Sequence, residues 1–241
     1  MSNAEKRLPV AGEVFRFQDC QAFLMRPADA KAPVPWVFYA PTLTGLPDDC
    51  DALWMRPVLA RGLAVAGIDV GESYGDPHGR RLFTAFHSEL VSLGFRRKAC
   101  LLGRSRGGPM LYNWAAENPE AVACVAGIYP VCNLSSFPGL AETAKAYGLS
   151  EQAMASVLSQ HNPIDRLAPL ASAGVPIFHI HGDDDKVVPM DANSQVLVER
   201  YRKLGGQVTL RVIKGGGHTY DHVFFTSTEM VEFLVRYGTL D

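Results

Sequence analysis

Short apolar runs alternate along the chain with longer segments in which apolar residues recur every three or four positions. The runs at 35–40 (PWVFYA), 63–69 (LAVAGID), 99–102 (ACLL), 121–128 (AVACVAGI) and 176–180 (PIFHI) have the length and largely apolar character of buried strands, and 208–213 is expected to be the last strand. Between them, 51–61, 80–93, 193–204 and 228–237 are spaced as helices, and Asp76-Pro77 supplies a start signal for the second. Two short stretches, 13–17 and 21–26, predict a hairpin or meander ahead of the series. Strands alternating with helices of this length predict an α/β fold: a mainly parallel central sheet with helices on both faces.

One segment, 129–170, falls outside the alternation. It is too long for a plain connection and too polar at its ends for sheet, and it holds one expected short helix near 151–158. We read it as a small lid or cap insertion over the C-terminal edge of the sheet, within a single domain spanning 1–241. With 241 residues and 47% hydrophobic content, the chain can bury a sizeable core as one domain. No repeat, low-complexity tract or linker divides it.

The formal net charge of −2 gives no general attraction for nucleic acid or an anionic membrane surface, so neither partner is expected. Five cysteines, without C-x-x-C spacing, point to buried thiols in a reducing compartment. No stretch approaches the roughly 18 to 20 apolar residues of a membrane span, and no secretion signal precedes the first strand. A cytoplasmic location is therefore the expectation, although Ser2-Asn3-Ala4 resembles the scar of an expression tag, whose addition could have removed a natural leader.

The chemistry concentrates at 98–108, KACLLGRSRGG. A buried strand stops there at glycine, arginine, serine and glycine residues, and a helical pattern, MLYNWAAENP, begins just past Pro109. Proline is tolerated in a first helical turn, where its missing amide would lack a partner. Ser105 is thus expected at a strand-to-helix turn, its hydroxyl above the sheet edge and Gly103 and Gly107 leaving it room. The plainer reading of Ser105 is a helix N-cap. Two later stretches change the balance: 181–189, HGDDDKVVP, and 215–218, GGGH. Each follows a predicted strand, which places both on the same edge of a parallel sheet as Ser105.

The GRSRGG elbow, the HGDDDKVVP segment and the GGGH turn, in that order, resemble the α/β-hydrolase fold. The likeness is closest to its small esterase and prolyl-oligopeptidase-like branch, dienelactone-hydrolase-like proteins included, and extends from about Val37 onward. By that resemblance Ser105 is the nucleophile, His218 the general base and Asp185 the orienting acid. The family pattern HGxxDxxVP selects Asp185, with Asp184 second; Asp183 and its neighbours otherwise suit a solvated turn or an N-cap. The resemblance also implies an oxyanion hole containing the backbone N–H of Arg106. Its second donor would come from 40–45 (APTLTG), where the family often shows His-Gly and this chain has Ala40-Pro41. Because proline has no N–H, Thr42 is the expected donor, with Leu43 next.

The implied activity is that of a serine hydrolase without a cofactor, a carboxylesterase for small or polar short-acyl esters such as acetylated sugars. Its partner would be a small-molecule ester. A peptidase or lactonase with the same triad, or a non-catalytic hydrolase-fold binding protein, are the alternatives. Arg104 and Arg106 are either salt-bridged scaffold or substrate clamps, and Trp54, Tyr74, Tyr129, Phe137 and Tyr220 either line a pocket or fill the core. The spacing His179-x-His181-x-Asp183 also resembles metallo-hydrolases of the metallo-β-lactamase type. Asp184 stands where that pattern needs histidine, and alternate residues of a strand share a face without any metal, so no metal is expected.

Overall fold

The computed structural model describes residues 6–240; Ser2-Asn3-Ala4 lies outside the described residues. The chain opens with a hairpin of β1 (Glu13–Phe17) and β2 (Cys20–Met25). Then β3 (Trp36–Ala40), α1 (Ala52–Ala60), β4 (Ala64–Ile68), α2 (Pro77–Ser92), β5 (Ala99–Arg104), α3 (Gly107–Glu117) and β6 (Val122–Ile128) follow in alternation. Three short helices come next: α4 (Leu140–Ala146), α5 (Glu151–Val157) and α6 (Ala168–Ser172). The alternation resumes with β7 (Ile177–Gly182), α7 (Val196–Lys203), β8 (Val208–Ile213) and α8 (Thr228–Thr239).

The eight strands form one sheet in the order β1-β2-β4-β3-β5-β6-β7-β8. The β1–β2 and β2–β4 pairs are antiparallel and the pairs from β4 through β8 are parallel. The C-terminal ends of β3, β5, β6, β7 and β8 therefore share one edge, where the loops that carry chemistry gather.

The central strands are predominantly apolar, and their alternate side chains serve two different layers. On β3, Trp36 and Phe38 face one layer, where Phe38 meets Phe83 of α2 at 4.9 Å and Trp114 of α3 at 5.6 Å between ring centroids. Val37 and Tyr39 face the other layer, where Tyr39 packs at 5.7 Å on Trp54 of α1, beside Leu234 of α8. Helices thus cover both faces, as the patterning predicts.

Three differences from the sequence reading have local causes. Helix α2 starts three residues early, because Asp76 accepts a hydrogen bond from the Gly79 amide at 2.7 Å and Pro77 takes the first helical position. Helix α3 begins at Gly107 rather than past Pro109. The helix expected over 193–204 divides into a π-helical turn, Asp191–Gln195, and α7. In that turn Asn193 faces inward: its Oδ1 accepts from the amides of Cys132 and Asn133, and its Nδ2 donates to the Pro189 carbonyl.

The 129–170 segment is tied to α3 by Asn113, whose Nδ2 donates to the His161 carbonyl at 2.6 Å. Among the described residues no helix is long and apolar enough to cross a membrane.

Candidate active site

Ser105 follows directly on β5 with φ of 50°, a left-handed conformation that a residue with a Cβ rarely adopts. The fold holds it there at both ends of its backbone. Its N–H donates to Ile128 O at 3.0 Å, and its carbonyl accepts from the amides of Gly108 and Val131, each at 2.9 Å. Close approach requires glycine at 107, where a Cβ would lie 2.0 Å from the Ala40 carbonyl oxygen; a Cβ on Gly103 would make a tight 3.1 Å contact with Gly108. Arg106 sits just ahead of α3, so its backbone N–H belongs to the first-turn donors that no helical carbonyl can satisfy.

Three side chains from three loops meet in a line. Ser105 Oγ is 2.9 Å from His218 Nε2, and His218 Nδ1 is 2.8 Å from Asp185 Oδ2. The His218 ring, 18% exposed, rests on the Tyr129 ring at a centroid distance of 4.4 Å. Asp185 is buried, and its Oδ1 accepts from the amides of Val187 and Val188 at 2.9 and 2.8 Å. Burial pushes its carboxyl up, but hydrogen bonds from His181 and His218 and the Val188 amide outweigh this and hold it well below the usual carboxylate range. The other two aspartates point elsewhere. Asp183 accepts from the Gly215 amide at 2.6 Å, bracing the turn that carries His218, while Asp184 is exposed and paired with Lys186.

His179 and His181 are fully buried on one face of β7. The Val188 carbonyl lies 2.8 Å from His181 Nε2; a carbonyl can only accept, so Nε2 carries a proton. The Ser194 hydroxyl bridges the two Nδ1 atoms, 2.8 Å from His181 and 2.9 Å from His179. The Tyr112 hydroxyl lies 2.7 Å from His179 Nε2. Burial, with the neighbouring His181, lowers the His179 pKa to about 3, so the ring is neutral. All four ring nitrogens are thus engaged by protein groups, and among the described residues no cluster of His, Cys, Asp and Glu could hold a metal ion. His181 Nε2 also lies 3.3 Å from Asp185 Oδ2, a contact the sequence reading missed. Its only signal was the four-residue spacing from histidine to acid.

Both arginines of the elbow form ion pairs. Arg104 is buried, with Nη1 2.9 Å from Asp48 and 2.8 Å from Asp51, and its guanidinium stacks between the rings of Tyr220 and Phe225 at 5.1 and 4.9 Å. It joins the loop after β3 to the loop after His218. Arg106 pairs with Glu72 at the surface.

Ser105, Arg106 and His218 open on a cavity of about 230 Å3, walled by Pro41, Leu46, Tyr129, Phe137, Val187 and Tyr220. Of the aromatics considered for a pocket, Trp54 is instead buried in the core, and Tyr74 stands behind Phe137, 6.5 Å away. Thr42 is buried in the loop after β3, its side chain over Gly67 of β4, and it does not line the Ser105 cavity, which this loop reaches through Pro41 and Leu46.

The chain superposes on Est1E from Butyrivibrio proteoclasticus with a TM-score of 0.69 at 18% identity, covering 95% of this chain and 99% of that one. S-formylglutathione hydrolase from Agrobacterium tumefaciens gives 0.73 at 18% identity, with 94% and 93% covered. Dipeptidyl peptidase 4 of Porphyromonas gingivalis gives 0.73 at 14% identity over 94% of this chain, which spans 35% of that protein's length. These likenesses show the α/β-hydrolase fold. No curated protein matches the sequence. The model of the prolyl oligopeptidase family matches residues 83–237, well over half of the chain and inclusive of the elbow, the HGDDDKVVP loop and the GGGH turn. The chain therefore belongs to the prolyl oligopeptidase family of serine hydrolases.

Proposed function

We propose that the chain is a carboxylesterase that cleaves small or polar short-acyl esters through an acyl-enzyme intermediate. The carrying observation is the hydrogen bond from Ser105 Oγ to His218 Nε2 at the wall of a 230 Å3 cavity. That volume lies below the roughly 300–1,000 Å3 of sites that hold drug-sized ligands, and it suits a short acyl group.

In this reading His218 Nε2 takes the Ser105 proton as Oγ bonds to the acyl carbon. The oxyanion is held by the Arg106 N–H and by a second N–H from the Thr42–Leu43 stretch. His218 then gives its proton to the departing alkoxide. A water deprotonated by His218 attacks the acyl-enzyme, and Ser105 leaves with the proton restored. Asp185 fixes the His218 tautomer and stabilises the imidazolium formed in each half-reaction. The 129–170 segment, which supplies Tyr129 and Phe137 to one wall, serves as the lid.

Peptidase activity is the second reading, favoured by family membership and by the dipeptidyl peptidase that shares the fold. A panel of p-nitrophenyl esters, acetyl through octanoyl, run beside aminoacyl p-nitroanilides separates the two. The esterase reading expects turnover that declines with acyl length, disappears in Ser105→Ala and ignores EDTA. Anilide cleavage at comparable kcat/KM would favour the peptidase, and full activity in Ser105→Ala would end both.

A further inference from the structure

Lys6 lies ahead of β1 and far in sequence from the elbow, yet its ammonium is buried against the loop that follows β3. Nζ lies 2.5 Å from the Thr42 carbonyl oxygen, 2.8 Å from that of Leu46 and 3.1 Å from that of Leu43. An ammonium has three N–H donors and no acceptor, and three carbonyls match them. Burial pushes the ammonium pKa down, with the Asp69 charge opposing. Desolvating a cation is costly, so its place here calls for a return beyond surface charge.

The loop stands between two cavities. On one side, Lys6, Thr44, Gly45 and Asp48 line a cavity of about 260 Å3. On the other, Pro41 and Leu46 line the cavity that holds Ser105. Lys6 is thus behind the loop as seen from the nucleophile. In a trans peptide the N–H points opposite to the C=O. The Thr42 carbonyl is drawn back to Lys6, so the Leu43 N–H on the same peptide faces away from Lys6. The Leu46 amide closes the turn on the Leu43 carbonyl at 2.9 Å, so the lysine grips a loop that is already folded on itself. A charge on a carbonyl also polarises its peptide and strengthens the donor at the other end.

We propose that Lys6 is a positioning residue for the oxyanion hole, holding the 42–46 loop by three carbonyls so that the Leu43 N–H is aimed at the substrate oxygen on Ser105. The proposal rests on the serine-hydrolase reading above and moves the second oxyanion donor from Thr42 to its neighbour. Lys6 touches no reacting atom. Its effect is exerted through the loop and falls on the transition state, where the oxyanion forms, rather than on substrate binding.

Lys6→Met keeps the aliphatic stem and removes the charge; Lys6→Ala opens a space beside the rear cavity that a small alkylammonium ion can enter. Three quantities are compared with wild type: kcat and KM on p-nitrophenyl acetate, the rate at which a fluorophosphonate labels Ser105, and the thermal unfolding midpoint. In Lys6→Met, kcat and the labelling rate fall together by about 10- to 100-fold while KM stays within about twofold. In Lys6→Ala, added ethylammonium restores several-fold of the lost rate and leaves wild type unchanged. A Lys6→Met enzyme with wild-type kcat and labelling rate overturns the proposal, as does a loss that merely tracks the unfolded fraction and resists ethylammonium. If wild-type Ser105 is not labelled at all, the esterase reading falls and takes this one with it; if wild type and Lys6→Met label equally fast, only the role of Lys6 falls.

Discussion

His218 and His181 both hydrogen-bond the same carboxylate oxygen of Asp185, at 2.8 and 3.3 Å, yet their surroundings give them opposite characters. His218 stands in a glycine turn at the cavity, its second nitrogen on Ser105 Oγ, with its ring partly open to solvent. His181 is sealed inside β7, its nitrogens committed to Ser194 and the Val188 carbonyl. A ring that can gain and lose a proton needs a partner that reacts and room to change charge. A ring sealed from solvent among the Ser194 hydroxyl, the Val188 carbonyl and the Asp185 carboxylate braces its neighbours. Asp185 joins the two, so its own geometry is set from the buried side and used from the exposed side.

The largest break in this arrangement is Asp185→Asn. The amide can no longer stabilise an imidazolium and favours the wrong His218 tautomer, so ester turnover falls by about 10⁴-fold. Circular dichroism on the same sample checks that the fold persists. Next is His181→Phe, which leaves the His218–Asp185 contact in place but strips partners from Ser194 Oγ and the Val188 carbonyl. Urea unfolding then reports a loss of about 2–4 kcal/mol, while turnover per folded molecule drops by about tenfold at most. A variant that lost activity like His218→Ala at unchanged stability would erase the distinction between the two rings.

The pH dependence sharpens the contrast further. His179 has a pKa of about 3 in the fold against 6.5 ordinarily. Between those values the unfolded chain binds more protons than the native one, so stability falls as pH is lowered from 6.5 toward 3, by up to about 1.4 kcal/mol per pH unit. The Asp185 shift contributes stability that is present above the ordinary value of 3.8 and is lost as pH falls below it. In urea melts between pH 7 and 4, His179→Gln should flatten the slope; an unchanged slope would place the buried charge cost elsewhere.

Much of this was legible in the sequence because the central strands are predominantly apolar runs of strand length. The runs at 13–17 and 208–213 match β1 and β8 to the residue, and the parallel alternation follows from the spacing of the rest. The three motifs could be placed on one sheet edge for the same reason. Helices α4 and α6, of seven and five residues, are too short to display a helical period. The surroundings of His179 and His181 were hidden for a different reason. Strand period puts them on one face, but Tyr112 and Ser194 reach them from α3 and from a π-helical turn that no local pattern announces. Lys6 is a still plainer case: its acceptors lie 36 to 40 residues away in sequence, and nothing in its neighbourhood distinguishes it from a surface lysine.

The central claim is that Ser105 is a nucleophile activated by His218. Its most direct test is to treat wild type, His218→Ala and His181→Phe with a fluorophosphonate and locate the adduct by peptide mass spectrometry. The account predicts a single adduct on Ser105 in wild type, its retention in folded His181→Phe and its loss in His218→Ala. Labelling of Ser105 that survives His218→Ala undiminished, or an adduct on any residue other than Ser105, would contradict it.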